Sequence, residues 1–122
     1  MANNLAVKRV YAPAAAEDGF RVLVDRLWPR GLSKASAHID LWARDVAPSD
    51  ALRQWFGHEP SKWDEFRQRY AQELAQPDKA AALAALRQAL AGQPRATLLF
   101  AAHDEAHNNA VALLPHLRAG RQ

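Results

Sequence analysis

From Leu5 to Tyr11 apolar and polar positions alternate loosely, with Val7 and Val10 among the apolar ones, before the turn-forming stretch Ala12 to Gly19 begins. This pattern predicts a strand followed by a loop. Phe20-Arg21-Val22-Leu23-Val24-Asp25 reads as a second strand, β-branched and apolar, with charge at its ends. Its nearly continuous apolar centre is that of a strand covered on both faces. Pro29 fixes its own φ and holds Trp28 extended, while Gly31 permits a left-handed turn. Arg26 to Gly31 is therefore expected as a loop at that strand's carboxyl end. Ser33 can cap a short turn through Ala37, after which Ile39, Leu41 and Ala43 alternate with Asp40, Trp42 and Arg44 as in a short edge strand.

Beyond Pro48 the period changes to that of helices. Ser49 is the expected N-cap of a helix that carries Leu52, Trp55 and Phe56 on one face and stops at Gly57. A second helix is expected from Ser61, with Asp64 three residues on as a shortened capping box and Trp63, Phe66, Tyr70 and Leu74 as its buried stripe. Asp78 after Pro77 is expected to cap a third, with Leu83, Leu86 and Leu90 inward and Gly92 and Pro94 at its end. Ala96 to Ala102 reads as another buried strand, followed by His103-Asp104 and by helical spacing at Ala106, Ala110, Leu113, Leu114 and Leu117. Asp104 is the expected cap of that last helix, and Pro115 predicts a kink or restart near Leu114.

Buried strands alternating with helices predict one α/β domain over residues 1–122, a small three-layer domain with a short, mostly parallel central sheet flanked by helices. If strands 20–25 and 97–102 are parallel neighbours, their polar ends share one edge of the sheet. In open α/β sheets ligands bind outside the carboxyl ends of the strands. Asp25, Arg26, Trp28 and Arg30 are then expected near His103, Asp104, His107 and Asn108.

Composition narrows the chemistry. The 122 residues carry 16 Lys and Arg against 13 Asp and Glu, a formal charge of +3. That is only mildly basic, so long-range attraction to nucleic acid is expected to be weak. The absence of cysteine removes disulfides, thiolate catalysis and Cys-zinc sites together. There is no apolar run of membrane-spanning length and no signal pattern at Met1 to Asn4, so no membrane partner is expected and the protein should be soluble and cytoplasmic. Since 27 of the apolar residues are alanine, large side chains supply a modest core.

Arg21, Arg26 and Arg30 place three guanidiniums within ten residues, and their planar forks suit phosphate or carboxylate. Arg21, early in its strand, is the one expected to be structural. Trp28 offers a flat surface for a ring to stack on, and Asp25 can orient the arginines. His107 is the candidate proton carrier, its ordinary pKa being near neutrality, with Asp25 the accompanying carboxylate. His103 and His107 lie four apart, a spacing that could ligate metal on a continuous helix, but His103 is expected before the cap and no metal is assigned. Neither a Gly-x-Gly-x-x-Gly nor a Walker-type Gly-Lys-Ser/Thr follows either strand, so no dinucleotide or other cofactor is expected.

The expected function is a pocket at the strand ends that binds a small anionic, phosphate- or nucleotide-like ligand, in a setting of nucleic-acid-related processing. Arg26, Trp28 and Arg30 would face His103, Asp104, His107 and Asn108 across it. Two alternatives stand beside it: a non-enzymatic nucleic-acid or protein-binding module, and a metal-dependent hydrolase using His103 and His107. Whether any bond is broken, and the oligomeric state, stay open.

The runs Val7 to Tyr11 and Asp18 to Gly31 are specific enough to carry a resemblance, joined by Ala47-Pro48-Ser49, Leu52-Arg53, Trp55-Phe56, the Phe66 to Leu74 helix and Thr97 to Ala110. Together they resemble the YeaO-like family, a branch of a widespread bacterial group of domains of unknown function. The resemblance implies a small cytoplasmic α/β protein and brings no established activity. The wider group often carries a Cys-His-Arg run after the last buried strand, where this chain has Ala106-His107-Asn108. Only His107 matches, and the departure removes both the thiol and the arginine of that loop.

Overall fold

The computed structural model describes residues 4–119. Its elements follow the order β1 (Asn4–Arg9), β2 (Phe20–Leu23), α1 (Lys34–Ala37), β3 (Leu41–Trp42), α2 (Asp50–Phe56), α3 (Trp63–Leu74), α4 (Pro77–Ala91), β4 (Arg95–Phe100) and α5 (Asn109–Ala119). The four strands form one sheet in the order β1-β4-β2-β3, and every pairing is parallel. The expected neighbours do pair, with Phe20 to Leu23 opposite Ala96 to Leu99. Their carboxyl ends therefore reach the same edge.

The two faces of this sheet are covered unequally. Val22, Val24, Ala96, Leu98 and Phe100 point into the main core, which α2 to α5 close with Phe56, Phe66, Tyr70, Leu86, Leu90, Leu113 and Leu117. The stripes at helical spacing are the buried ones, as a 3.6-residue period requires. On the other face Leu23 and Leu99 meet Val10, with Trp28, Leu32, Ile39 and Trp42 packed over them from loops and the edge strand. The β2–β3 crossover provides that cover, with the one-turn α1 as its helical part.

Several local expectations shift by a few residues for identifiable reasons. Ser33 and Ser49 cap α1 and α2, accepting from Ser36 N and Leu52 N, and Gly57 ends α2 at φ 54°. Ser61 caps nothing: a 3-10 turn over Pro60–Lys62 runs directly into α3, whose first turn holds Asp64 and Glu65. Asp78 is likewise inside the first turn of α4, because Pro77 takes the first helical position and leaves Gln76 as the cap residue. Pro115 sits within α5 without a restart, since the helix runs on to Ala119. Gly19 lets the chain enter β2: at φ 66° a Cβ there would stand 2.5 Å from the Arg95 carbonyl oxygen. No helix among the described residues is long and apolar enough to cross a membrane.

Candidate functional site

A cavity of about 600 Å³ opens at the carboxyl edge of the sheet, where the β2–α1 loop faces the β4–α5 segment. Its lining brings together Asp25, Arg26, Trp28 and Arg30 from one side and His103, Asp104, His107 and Asn108 from the other. Parallel pairing of β2 with β4 is the cause, since it delivers both chain reversals to one rim.

Asp25 is joined to the opposite segment directly. Its Oδ2 accepts from the Ala101 backbone N–H at 2.9 Å, while Asn109 Nδ2 donates to the Val24 carbonyl at 2.8 Å. Among the described residues Asp25 makes no ion pair, so it does not orient Arg26 or Arg30 as expected. Arg26 instead faces Asp50, at 3.4 Å, and Arg53 reaches the same carboxylate at 3.2 Å. Burial raises the Asp25 pKa; the Ala101 N–H, the Asn109 amide and the charges of Arg53 and His58 pull it back without overcoming that burial.

The tryptophan and the arginines play different parts from those expected. Trp28 Nε1 donates to the Leu32 carbonyl at 2.6 Å, and its ring stands edge-on to Trp42 at 5.3 Å. It is a fixed part of the loop-covered core that contributes wall to the cavity, and not a free stacking platform. Arg30 is exposed at the rim, with its carbonyl held by the Tyr11 hydroxyl at 2.8 Å. Arg21 is structural, as expected, buried against Asp18 at 2.5 Å.

The opposite wall is shaped by an Asp-centred turn. Asp104 Oδ1 accepts from Ala106 N at 2.9 Å and His107 N at 3.0 Å, and its Oδ2 lies 2.9 Å from His107 Nδ1. Hydrogen bonds from the Ala106 backbone and the His107 ring lower the Asp104 pKa. An ionised Asp104 requires the proton on Nδ1, which leaves Nε2 of a neutral His107 as an acceptor. The ring is further held edge-on to Trp63, at 5.2 Å. Asp104 is therefore not the cap of α5. That part belongs to Asn108, whose Oδ1 accepts from Val111 N at 3.0 Å and whose Nδ2 donates to the Asp104 carbonyl at 2.9 Å. Each end of its amide makes one hydrogen bond within the protein, so Asn108 lines the cavity in a fixed orientation. His103 is exposed, and neither histidine lies on a helix, which removes the shared helical face that metal spacing assumes. Among the described residues no three His, Cys, Asp or Glu side chains are grouped to hold a metal ion.

Arg53, His58, Asn109 and Tyr11 also line the cavity. A topological signal locates the first of these. The helix that follows a parallel strand starts at the strand's carboxyl edge, so the opening turn of α2 after β3 belongs to the rim. Arg9 braces the floor, donating to the carbonyls of Ala101 and Ala102 at 3.2 and 2.9 Å.

Comparison with known proteins places this architecture among relatives of unassigned activity. A family model described as "Inactive DUF488-N3 subclade" matches residues 4–120. The uncharacterised protein Rv3073c of Mycobacterium tuberculosis is 44% identical over 115 residues, covering 94% of this chain and 93% of its own. The uncharacterised protein YeaO of Escherichia coli is 40% identical over 116 residues, covering 95% of this chain and 98% of its own. No solved structure matches. With nearly the whole sheet and its carboxyl edge inside these matches, the chain belongs to the YeaO-like family, within the inactive DUF488-N3 subclade.

Proposed function

We propose that the cleft binds a small anionic ligand, phosphate- or nucleotide-like, and holds it without turning it over. The observation that carries this reading is an excess of guanidinium along the cavity: Arg26 and Arg53 share the single carboxylate of Asp50, and the exposed Arg30 lines the same cavity. Planar guanidiniums contact phosphate or carboxylate at two points, which a single exposed carboxylate does not saturate. A volume of about 600 Å³ suits a ligand of nucleotide size. The position outside the strand ends is where parallel sheets bind ligands.

Binding is favoured over catalysis by the description of the family as inactive. His107 then serves as a hydrogen-bonding wall, oriented by Asp104. The metal-dependent hydrolase has no third ligand for its two histidines among the described residues. A nucleic-acid module finds no extended basic face here, only this compact rim.

Titration of inorganic phosphate and nucleoside monophosphates tests the proposal. Wild-type protein should bind at low salt, and the Arg26→Ala/Arg30→Ala double variant should bind about tenfold or more weakly, the loss expected from charge-assisted contacts. Equal affinity in the two proteins, or binding by neither, contradicts it.

A further inference from the structure

Asp25 is the acidic side chain of the cavity whose position the fold does not account for. It is partly buried, accepts at Oδ2 from the Ala101 N–H, has the Asn109 amide as a second hydrogen-bonding neighbour, and has no cation in ion-pair contact among the described residues. A carboxylate offers roughly four acceptor positions, so these contacts leave part of its capacity for the cavity it lines. Partly burying a carboxylate is unfavourable unless its hydrogen bonds are completed, and a ligand in the cavity can complete those of Asp25. Contrast Glu73, which also braces a loop but is used at both oxygens, by Ser49 N at 2.8 Å and Ser49 Oγ at 2.5 Å.

Beside Asp25 and the arginines the lining carries apolar surface, from Pro29, Ala47, Pro48 and Phe56. The cavity lining thus combines three chemistries: guanidiniums, apolar surface and a carboxylate acceptor. A bare phosphate would satisfy only the first.

We infer that the cleft selects an anionic ligand whose far end is a flat ring bearing an amino group, with Asp25 as the residue that contacts that amino group. This rests on the anion reading above and goes further by assigning the other end of the ligand. An amino-bearing nucleoside monophosphate has the required parts, with the phosphate on Arg26 and Arg30, the ring against Pro48 and Phe56, and the exocyclic N–H donating to Asp25. The raised pKa of Asp25 accords with a group whose partner is supplied by the ligand.

Calorimetric titration at neutral pH tests this with pairs of ligands differing by one amino group: AMP against purine riboside 5′-monophosphate, and GMP against IMP, with inorganic phosphate as the anion-only probe. In wild-type protein the amino-bearing member of at least one pair should bind about tenfold tighter, the value of one hydrogen bond to a charged group. Asp25→Asn should erase that preference while leaving the dependence on Arg26 and Arg30 intact. Equal affinity within both pairs overturns the inference and leaves the anion reading standing, as does binding of phosphate alone. Retention of the preference in Asp25→Asn overturns the assignment to Asp25. Binding of no anionic probe overturns both. The wild-type pairs decide the matter even if the variant does not fold.

Discussion

Strand β2 is flanked by an aspartate at each end, and the two environments are opposites. Before it, Asp18 is 6% exposed and fully partnered: Lys8 Nζ lies at 3.0 Å, Arg21 Nη1 at 2.5 Å and Ala15 N at 3.0 Å. Burial pushes its pKa up, but the hydrogen bonds from Ala15, Lys8 and Arg21 outweigh it and the net shift is downward. After the strand, Asp25 has the Ala101 N–H and the Asn109 amide and, among the described residues, no cation in ion-pair contact; burial prevails, so its pKa is raised. One strand thus carries a carboxylate that stabilises the fold and a carboxylate that the fold tolerates. The difference separates architecture from site, because a carboxylate whose burial outweighs its internal partners marks a place that a ligand can complete.

The largest expected effect comes from breaking the satisfied end. Asp18→Asn leaves Arg21 buried without its counter-charge, although Arg21 still donates to the carbonyls of His38 and Ala37 at 2.8 and 3.1 Å. Removing one partner of a buried pair costs about 3–5 kcal/mol, to be read from denaturant unfolding at neutral pH. A lowered native pKa contributes stability above the unfolded value of 3.8 and loses it as pH falls through the native value, so the gap between wild type and variant should close on acidification. A gap that persists unchanged into acid would assign the loss to packing instead.

A much smaller structural effect is expected at the rim. Asp50 is half exposed where it meets Arg26 and Arg53, and exposed pairs contribute about 0–1 kcal/mol. Asp50→Ala should therefore unfold almost as wild type does. It also releases two guanidiniums toward the cavity mouth, so affinity for a phosphate-bearing ligand should rise several-fold at low salt, on the order of the roughly 1 kcal/mol released, and the gain should fade as salt screens it. Weaker anion binding in Asp50→Ala would place the anion elsewhere.

Much of the fold was legible in the sequence because β2 and β4 are apolar runs bounded by turn residues, and the helix stripes keep their period through Phe66, Tyr70 and Leu74. The common edge followed from parallel pairing alone. The helix starts were less legible where several residues can play one part. Asp104 and Asn108 both carry cap chemistry, and only the packing of the loop decides that Asp104 closes a turn on His107 while Asn108 caps α5. The partner of Asp25 was obscured by proximity in sequence. Arg26 is its neighbour in sequence, yet both lie in a bend after β2, and Arg26 turns to Asp50 on α2. Arg53 and His58 have no local signature, since their place in the site depends on where the crossover brings α2.

The stability of Asp25→Asn against wild type, followed by denaturant unfolding across pH, tests most directly whether Asp25 is held for a ligand and not for the fold. Its raised native pKa means that above 3.8 the unfolded chain releases the proton first, so ionisation drains stability from wild type as pH rises toward the native value. An asparagine can still accept from Ala101 N–H without carrying that charge. The variant should match wild type in acid and become the more stable protein at neutral pH, by on the order of 0.5–2 kcal/mol. A variant less stable than wild type at neutral pH would contradict the account, making Asp25 a structural carboxylate of the same kind as Asp18.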